Sequence, residues 1–251
     1  MPLVVTQPLS HVVVLTIENQ AKRNAMPRQM LAEMAELWDR LAAERDCRAV
    51  VVTGAGDKAF CAGADISGDL SADTDTAAII NKALLKTHVF PKPVIAAVNG
   101  DCAGGGVELL LATDIRGAAP TARFGLPEVR YAIYPFGGAA IKLIQQIGHV
   151  HAMDLIMTGR LISAEDATRL GLVNEVVTSG TVLDWALAKA SLIAANSPVA
   201  VQAVKTQIAS TIADHAISRE AMDQQLGDRV RASDDFKEGI AAFREKRVPR
   251  Y

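Results

Sequence analysis

The sequence predicts an α/β fold, and three observations carry that prediction. Short β-branched runs recur through the first part of the chain, and apolar stretches at helical spacing separate them. After Asn196-Ser197-Pro198 the strand signal stops. Strand, strand and helix alternate at least twice before this helix-rich end, as an α/β core requires. We therefore place a core over residues 1–196 and a C-terminal helical region over 197–251, too Ala-rich to fold alone.

Taken in order, Val4–Thr6 and Val12–Glu18 read as strands joined by a turn around Pro8-Leu9-Ser10. Pro27 opens a helix in which Met30, Met34, Leu37, Trp38 and Leu41 repeat at helical spacing to about Glu44. Arg48–Thr53 is a buried strand, followed by a glycine-containing turn at Cys61-Ala62-Gly63-Ala64-Asp65. A polar loop over Ser67–Thr76 leads to a helix over Ala77–Val89. The strand Val94–Val98 then enters Gly104-Gly105-Gly106, and the run Val107–Ala112 is helical. Strands follow at 114–118, 122–124 and 173–177. Helices are expected after Gly138 to about Ile147, over 151–158, over 164–170 with Ser163 as N-cap, and over 182–195. The last helices are expected at 198–210, 217–230 and 235–246.

Composition excludes several functions. Net charge is −2 and aromatics are 4%, so there is neither a basic field nor a stacking surface for nucleic acid. No apolar run is long enough to span a membrane. Three irregularly spaced cysteines suit free thiols in a reducing cytoplasm, and no His/Cys cluster suggests a metal. Nucleotide fingerprints fail as well: Leu109 stands where GxGxxG needs its last glycine, and GxxxxGK[ST] is absent.

The stretch Val98–Ile115 is the one with chemistry in it. A Gly-rich turn at a helix start presents free N–H groups to a ligand, and Glu108 falls in the first helical turn beside them. Three further segments accompany it: Arg23-Asn24-Ala25-Met26, AFCAGADI from Ala59 to Ile66, and FGLPE from Phe124 to Glu128. In this order, and with FKEGIAAFREKR from Phe236 to Arg247, they resemble the crotonase superfamily over nearly the whole chain.

The resemblance implies a crotonase-like spiral of β-β-α repeats with a C-terminal helical region used for oligomerisation, as a trimer or a dimer of trimers. It implies hydration of a 2-enoyl-CoA thioester, with no cofactor, since coenzyme A is part of the substrate. By resemblance the N–H groups of Ala64 and Gly105 form an oxyanion hole, and Glu108 and Glu128 are catalytic, in a division of labour that could be reversed. Ala62, Asp65 and Ile66 line the substrate. Phe243 and Lys246 either meet the nucleotide end of CoA or simply complement a helix end. Ser67 departs from the family pattern, in which many members carry lysine after the Ala64-Asp65-Ile66 triplet. Phe136 departs too, standing where many hydratases have glycine. Its ring either narrows the acyl pocket or plugs the core beneath the helix that follows. Within the family an isomerase needs only one base, and a thioester hydrolase or carbon–carbon lyase is a further alternative. A non-catalytic acyl-CoA- or RNA-binding relative is disfavoured by the Glu pair and by the charge.

Overall fold

The computed structural model describes residues 3–65, 74–136 and 138–251. Among these, two sheets are wound together. The larger has the order β1 (Leu3–Leu9), β2 (Val12–Ile17), β3 (Ala49–Gly54), β5 (Val94–Val98), β7 (Ile115–Ala118), β10 (Glu175–Val176). All its pairings are parallel except the β1–β2 hairpin. The smaller runs β4 (Ala59–Cys61), β6 (Asp101–Ala103), β8 (Arg123–Gly125), β9 (Ile162–Ser163). Each turn of the spiral gives one strand to each sheet in succession: β3 then β4, β5 then β6, β7 then β8.

Burial explains the composition of the strands. β3 and β5 are buried along their whole length, so they are continuous apolar runs rather than alternating ones. On one face Val13, Leu15, Val50 and Val52 pack against α1 (Arg28–Ala43) and its Met30, Met34 and Trp38. On the other, Val12, Val14, Val51 and Ile95 meet Ala186 and Ala190 of α7 (Val182–Ala194). Helix α2 (Thr74–Ala83) packs beside α1, where Trp38 Nε1 donates to Ala83 O at 2.9 Å.

Several expectations need correction. The hairpin turns at Ser10-His11, and Pro8 lies inside β1, an edge strand with a register shift there, where a missing N–H costs little. Helix α2 stops at Ala83 rather than Val89, because Leu85 takes a left-handed backbone (φ 50°). The glycine triplet is fed not by β5 but by the three-residue strand β6, and α3 (Gly105–Leu110) starts two residues early. The short strands β4 and β9 were also missed. After α4 (Ala139–Ile147), α5 (His149–Thr158) and α6 (Ala164–Arg169), the C-terminal region holds one 34-residue helix, α8 (Pro198–Arg231), where two were expected, and then α9 (Asp234–Glu245). The polar stretch Thr211–Ala216 has no glycine or proline to break it. Ser163 does cap α6, accepting from Asp166 N.

Candidate active site

Three site segments converge because the strands before them are neighbours. β4, β6 and β8 are parallel, with Cys61 beside Cys102 and Cys102 beside Phe124. The chain therefore leaves all three at the same edge of the small sheet. Ala62–Asp65 follows β4, Gly104-Gly105 follows β6, and Leu126–Glu128 follows β8. That is the edge at which open parallel sheets place their ligands.

The segment Arg23–Met26 fastens the first turn. Arg23 and Asn24 both adopt left-handed backbone (φ 53° and 57°), which turns the chain alongside residues 62–65. The buried Asn24 amide holds the bend by donating to Ala55 O (3.0 Å) and Ala59 O (2.7 Å). Ala62 N then donates to Arg23 O, Met26 N to Gly63 O, and Asp65 N to Met26 O, while Gly63 N reaches Cys61 Sγ. Among the described residues, the N–H groups of Ala62, Gly63 and Asp65 are thereby used and that of Ala64 is not.

Gly105 completes the pair. An added Cβ there would lie 3.3 Å from Ala64 N, and one on Gly63 only 2.9 Å from Gly105 N, so the two turns meet through backbone alone. Gly104 must be glycine for its backbone (φ 55°, ψ −127°), which directs the chain into α3. Gly106 has a third reason, packing, since a Cβ would strike Cys61 O at 2.2 Å. Gly105 is the first residue of α3, and its N–H, like that of Ala64, has no hydrogen-bond partner among the described residues. The two turns that carry these N–H groups thus lie side by side.

Two carboxyl groups stand beside them. Glu108 is buried on α3. Glu128 lies in the short 3-10 helix Pro127–Tyr131, with its Oε1 3.2 Å from where a Gly104 Cβ would be. Glu128 is half-buried as a residue, but its Oε2 is closed to solvent and has no hydrogen-bond partner among the described residues. Burial, then repulsion from Glu108, pushes its pKa up to about 8. Near neutrality Glu128 is an acid with a proton to give.

The remaining candidates are distributed unevenly. Ala62 and Ala64 are exposed at the turn, and Asp65 pairs with Lys22 Nζ at 2.7 Å. Ile66 and Ser67 lie outside the described residues. Phe243 is on α9, edge-on to Tyr131 at 5.2 Å, and Lys246 is the exposed left-handed cap of that helix. Phe136 has a seat that neither reading of the sequence foresaw. Its ring rests on Gly227 of α8, where a Cβ would be 1.8 Å from Cζ, and lies under Arg231 at 4.3 Å.

Sequence reasoning also missed a set of buried charges behind the site. Lys86, 1% exposed, meets Glu220 (3.1 Å) and Asp223 (3.3 Å) of α8, and Tyr134 OH donates to Asp223 Oδ1 (3.0 Å). Lys142 of α4 is also buried and donates to Leu85 O at 2.6 Å. A lysine within the apolar run AAIKLIQQI was the available signal.

The enoyl-CoA hydratase/isomerase family model matches residues 9–251. Enoyl-CoA hydratase EchA19 of Mycobacterium tuberculosis is 41% identical, covering 96% of this chain and 93% of its own. The 2,3-dehydroadipyl-CoA hydratase of Escherichia coli is 36% identical, covering 95% and 94%. The crystal structure of a carnitinyl-CoA hydratase from Mycobacterium avium superposes with a TM-score of 0.87 at 36% identity, over 99% of this chain and 97% of the other. Matched by the family model from residue 9 to residue 251, and 41% identical to a full-length relative, the chain belongs to the enoyl-CoA hydratase/isomerase family.

Proposed function

We propose that this protein adds water across the 2,3 double bond of a 2-enoyl-CoA thioester to give the 3-hydroxyacyl-CoA. The observation that carries the reading is the juxtaposition of two N–H groups, without partners among the described residues, with two neighbouring carboxyls, of which Glu128 has its pKa raised by burial and by Glu108. The Ala64 and Gly105 N–H groups receive the thioester oxygen as an oxyanion hole. Glu108, as carboxylate, takes a proton from water while the water oxygen bonds to C3. The double-bond electrons move onto the thioester oxygen as an enolate, held by the two N–H donors. Each such donor is worth about 3 kcal/mol to a transition state of this kind. The enolate then collapses as the neutral Glu128 gives its proton to C2, which leaves Glu108 protonated and Glu128 ionised; return of that proton from Glu108 to Glu128, directly or through solvent, restores the starting pair.

Exposed Ala62, with Asp65 and Ile66, lines the path of the thioester arm, and Phe243 and Lys246 take the nucleotide end of CoA. No separate cofactor enters the chemistry, and the three free thiols suit a reducing compartment such as the cytoplasm. We assign a trimer or a dimer of trimers. Val199, Val204, Ile208, Ile217, Met222 and Leu226 of α8 are exposed, apolar surface on more than one side of the helix that suits burial between subunits.

Incubation with crotonyl-CoA and longer 2-enoyl-CoAs tests the reaction. We expect the conjugated-enoyl absorbance to fall and the product to gain one water by mass. An isomeric 3-enoyl-CoA at unchanged mass, or release of free CoA, would overturn the hydratase reading.

A further inference from the structure

Cys61, the last residue of β4, is wholly buried and touches both donor turns. Its Sγ accepts the Gly63 N–H at 3.3 Å and lies 3.9 Å from Gly63 O. Its carbonyl oxygen packs against Gly106, where a Cβ would lie 2.2 Å away. Neither Cys47 nor Cys102 accepts an N–H through sulfur among the described residues, and the Cys47 thiol instead donates to Ala49 O at 3.8 Å. Cys61 is therefore a thiol with a particular contact, made to the residue just before one of the two donors.

The contact matters because of what a turn ordinarily does with its N–H groups. In a four-residue turn closed in the usual way, the fourth N–H donates to the first carbonyl, which here would join Ala64 to Cys61. A side-chain acceptor at the first position can take the third N–H instead, as serine and threonine hydroxyls do. Residues 61–64 have that second arrangement. Cys61 O faces Gly106, the Gly63 N–H is turned inward onto sulfur, and Ala64 N donates to no described residue. Gly63 permits it with a φ of 98°, which residues bearing a Cβ rarely adopt. The following peptide is fixed at its carbonyl as well. Gly63 O accepts from Met26 N at 2.8 Å, and in a trans peptide the Ala64 N–H points the opposite way. A Cβ on Gly63 would lie 2.9 Å from Gly105 N, so the residue held by the thiol also abuts the second donor.

We propose that Cys61 is a positioning residue for the oxyanion hole: by accepting the Gly63 N–H, its buried sulfur turns the chain so that the next N–H, that of Ala64, is left for the thioester oxygen. This rests on the oxyanion-hole reading above and adds the side chain that orients one of its donors. Burial pushes the Cys61 thiol up to about 12, so the acceptor is a neutral sulfur at any pH near neutrality. Sulfur is a weak acceptor. Its loss should therefore be felt in the direction of the Ala64 N–H more than in the stability of the fold. Alanine at this position removes the acceptor, and serine keeps one.

The test uses butyryl-CoA labelled with carbon-13 at the thioester carbonyl, a saturated thioester that cannot be hydrated. Its carbonyl stretch is read by infrared difference spectroscopy on the intact protein. In the unaltered protein two aligned donors should lower the stretching frequency relative to free butyryl-CoA. In Cys61→Ala, with one donor turned away, about half of that shift should be lost, and kcat for crotonyl-CoA should fall about tenfold with KM little changed. Cys61→Ser should restore both. A side chain that only fills space would alter the melting temperature and leave the carbonyl shift in place. A folded Cys61→Ala protein with the full shift thus overturns the proposal. If that variant does not fold, amide hydrogen exchange in the unaltered protein decides: the Gly63 N–H should be protected relative to that of Ala64, and equal exchange overturns the proposal. An unshifted carbonyl in the unaltered protein would overturn the oxyanion-hole reading itself. A shifted carbonyl without hydration of crotonyl-CoA would count against the hydratase reading alone and leave the Cys61 result standing.

Discussion

Glu128 combines a catalytic assignment with a cost to the fold, and the two can be separated by pH. Its carboxyl has a pKa of about 8 in the folded chain against an ordinary 4.5. Between those values the folded state holds a proton that the unfolded state has released. The stabilisation from this group is therefore complete below pH 4.5 and lost as pH rises through about 8. Its size is on the order of a few kcal/mol. We expect chemical denaturation to show the unaltered protein losing stability over this window relative to Glu128→Gln, in which the dependence is flattened. Parallel curves for the two proteins would show that Glu128 titrates normally. At this scale the nearness of the two glutamates and the two glycine turns was legible in the sequence, through the order of the four motifs that carry them. Lys86 and Lys142 were not, since a lysine in a helical run reads as solvent-facing until the fold closes over it.

The long helix α8 does more at the level of elements than its sequence suggested. It reaches the loop before α4 in two ways, through Tyr134 on Asp223 and through Phe136 on Gly227. Gly227 is thus the socket for Phe136, and a methyl group there has no room. Gly227→Ala should cost about 1–3 kcal/mol and lower the melting temperature by several degrees. Adding Phe136→Ala should recover part of that loss, because the two residues share one contact. Strict additivity in thermal unfolding would show that the ring is seated elsewhere. With the ring on α8, Phe136→Gly is expected to lower stability more than it alters relative rates across an acyl-CoA series. A changed acyl-length preference at unchanged stability would restore the pocket role that the sequence also allowed. The elements that sequence reasoning missed, β4, β6 and β9, are two or three residues long and too short to show any periodicity. Yet β4 and β6 are the strands that aim the two donor turns.

For the whole molecule, alternation of strand pairs and helices was enough to indicate the α/β class, and the motif order was enough to indicate the family. The way the spiral brings β4, β6 and β8 side by side is a property of long-range pairing that no local window contains. The assembly also belongs to this scale. A cleft of about 670 Å³ opens between the first half of α8 and the body around Leu111–Arg116, with exposed Val204 and Ile208 on its α8 wall. Light scattering at micromolar concentration should give a mass three or six times that of the 26.6 kDa chain. A stable monomer would contradict the assigned assembly. The central claim, hydration by two carboxyls over a backbone donor pair, is tested most directly by steady-state hydration of crotonyl-CoA. The unaltered protein should turn the substrate over, while Glu108→Gln and Glu128→Gln should each lose about a hundredfold or more in kcat with KM little changed, since the donors that bind the thioester are main chain. Near-normal turnover by either variant would contradict it.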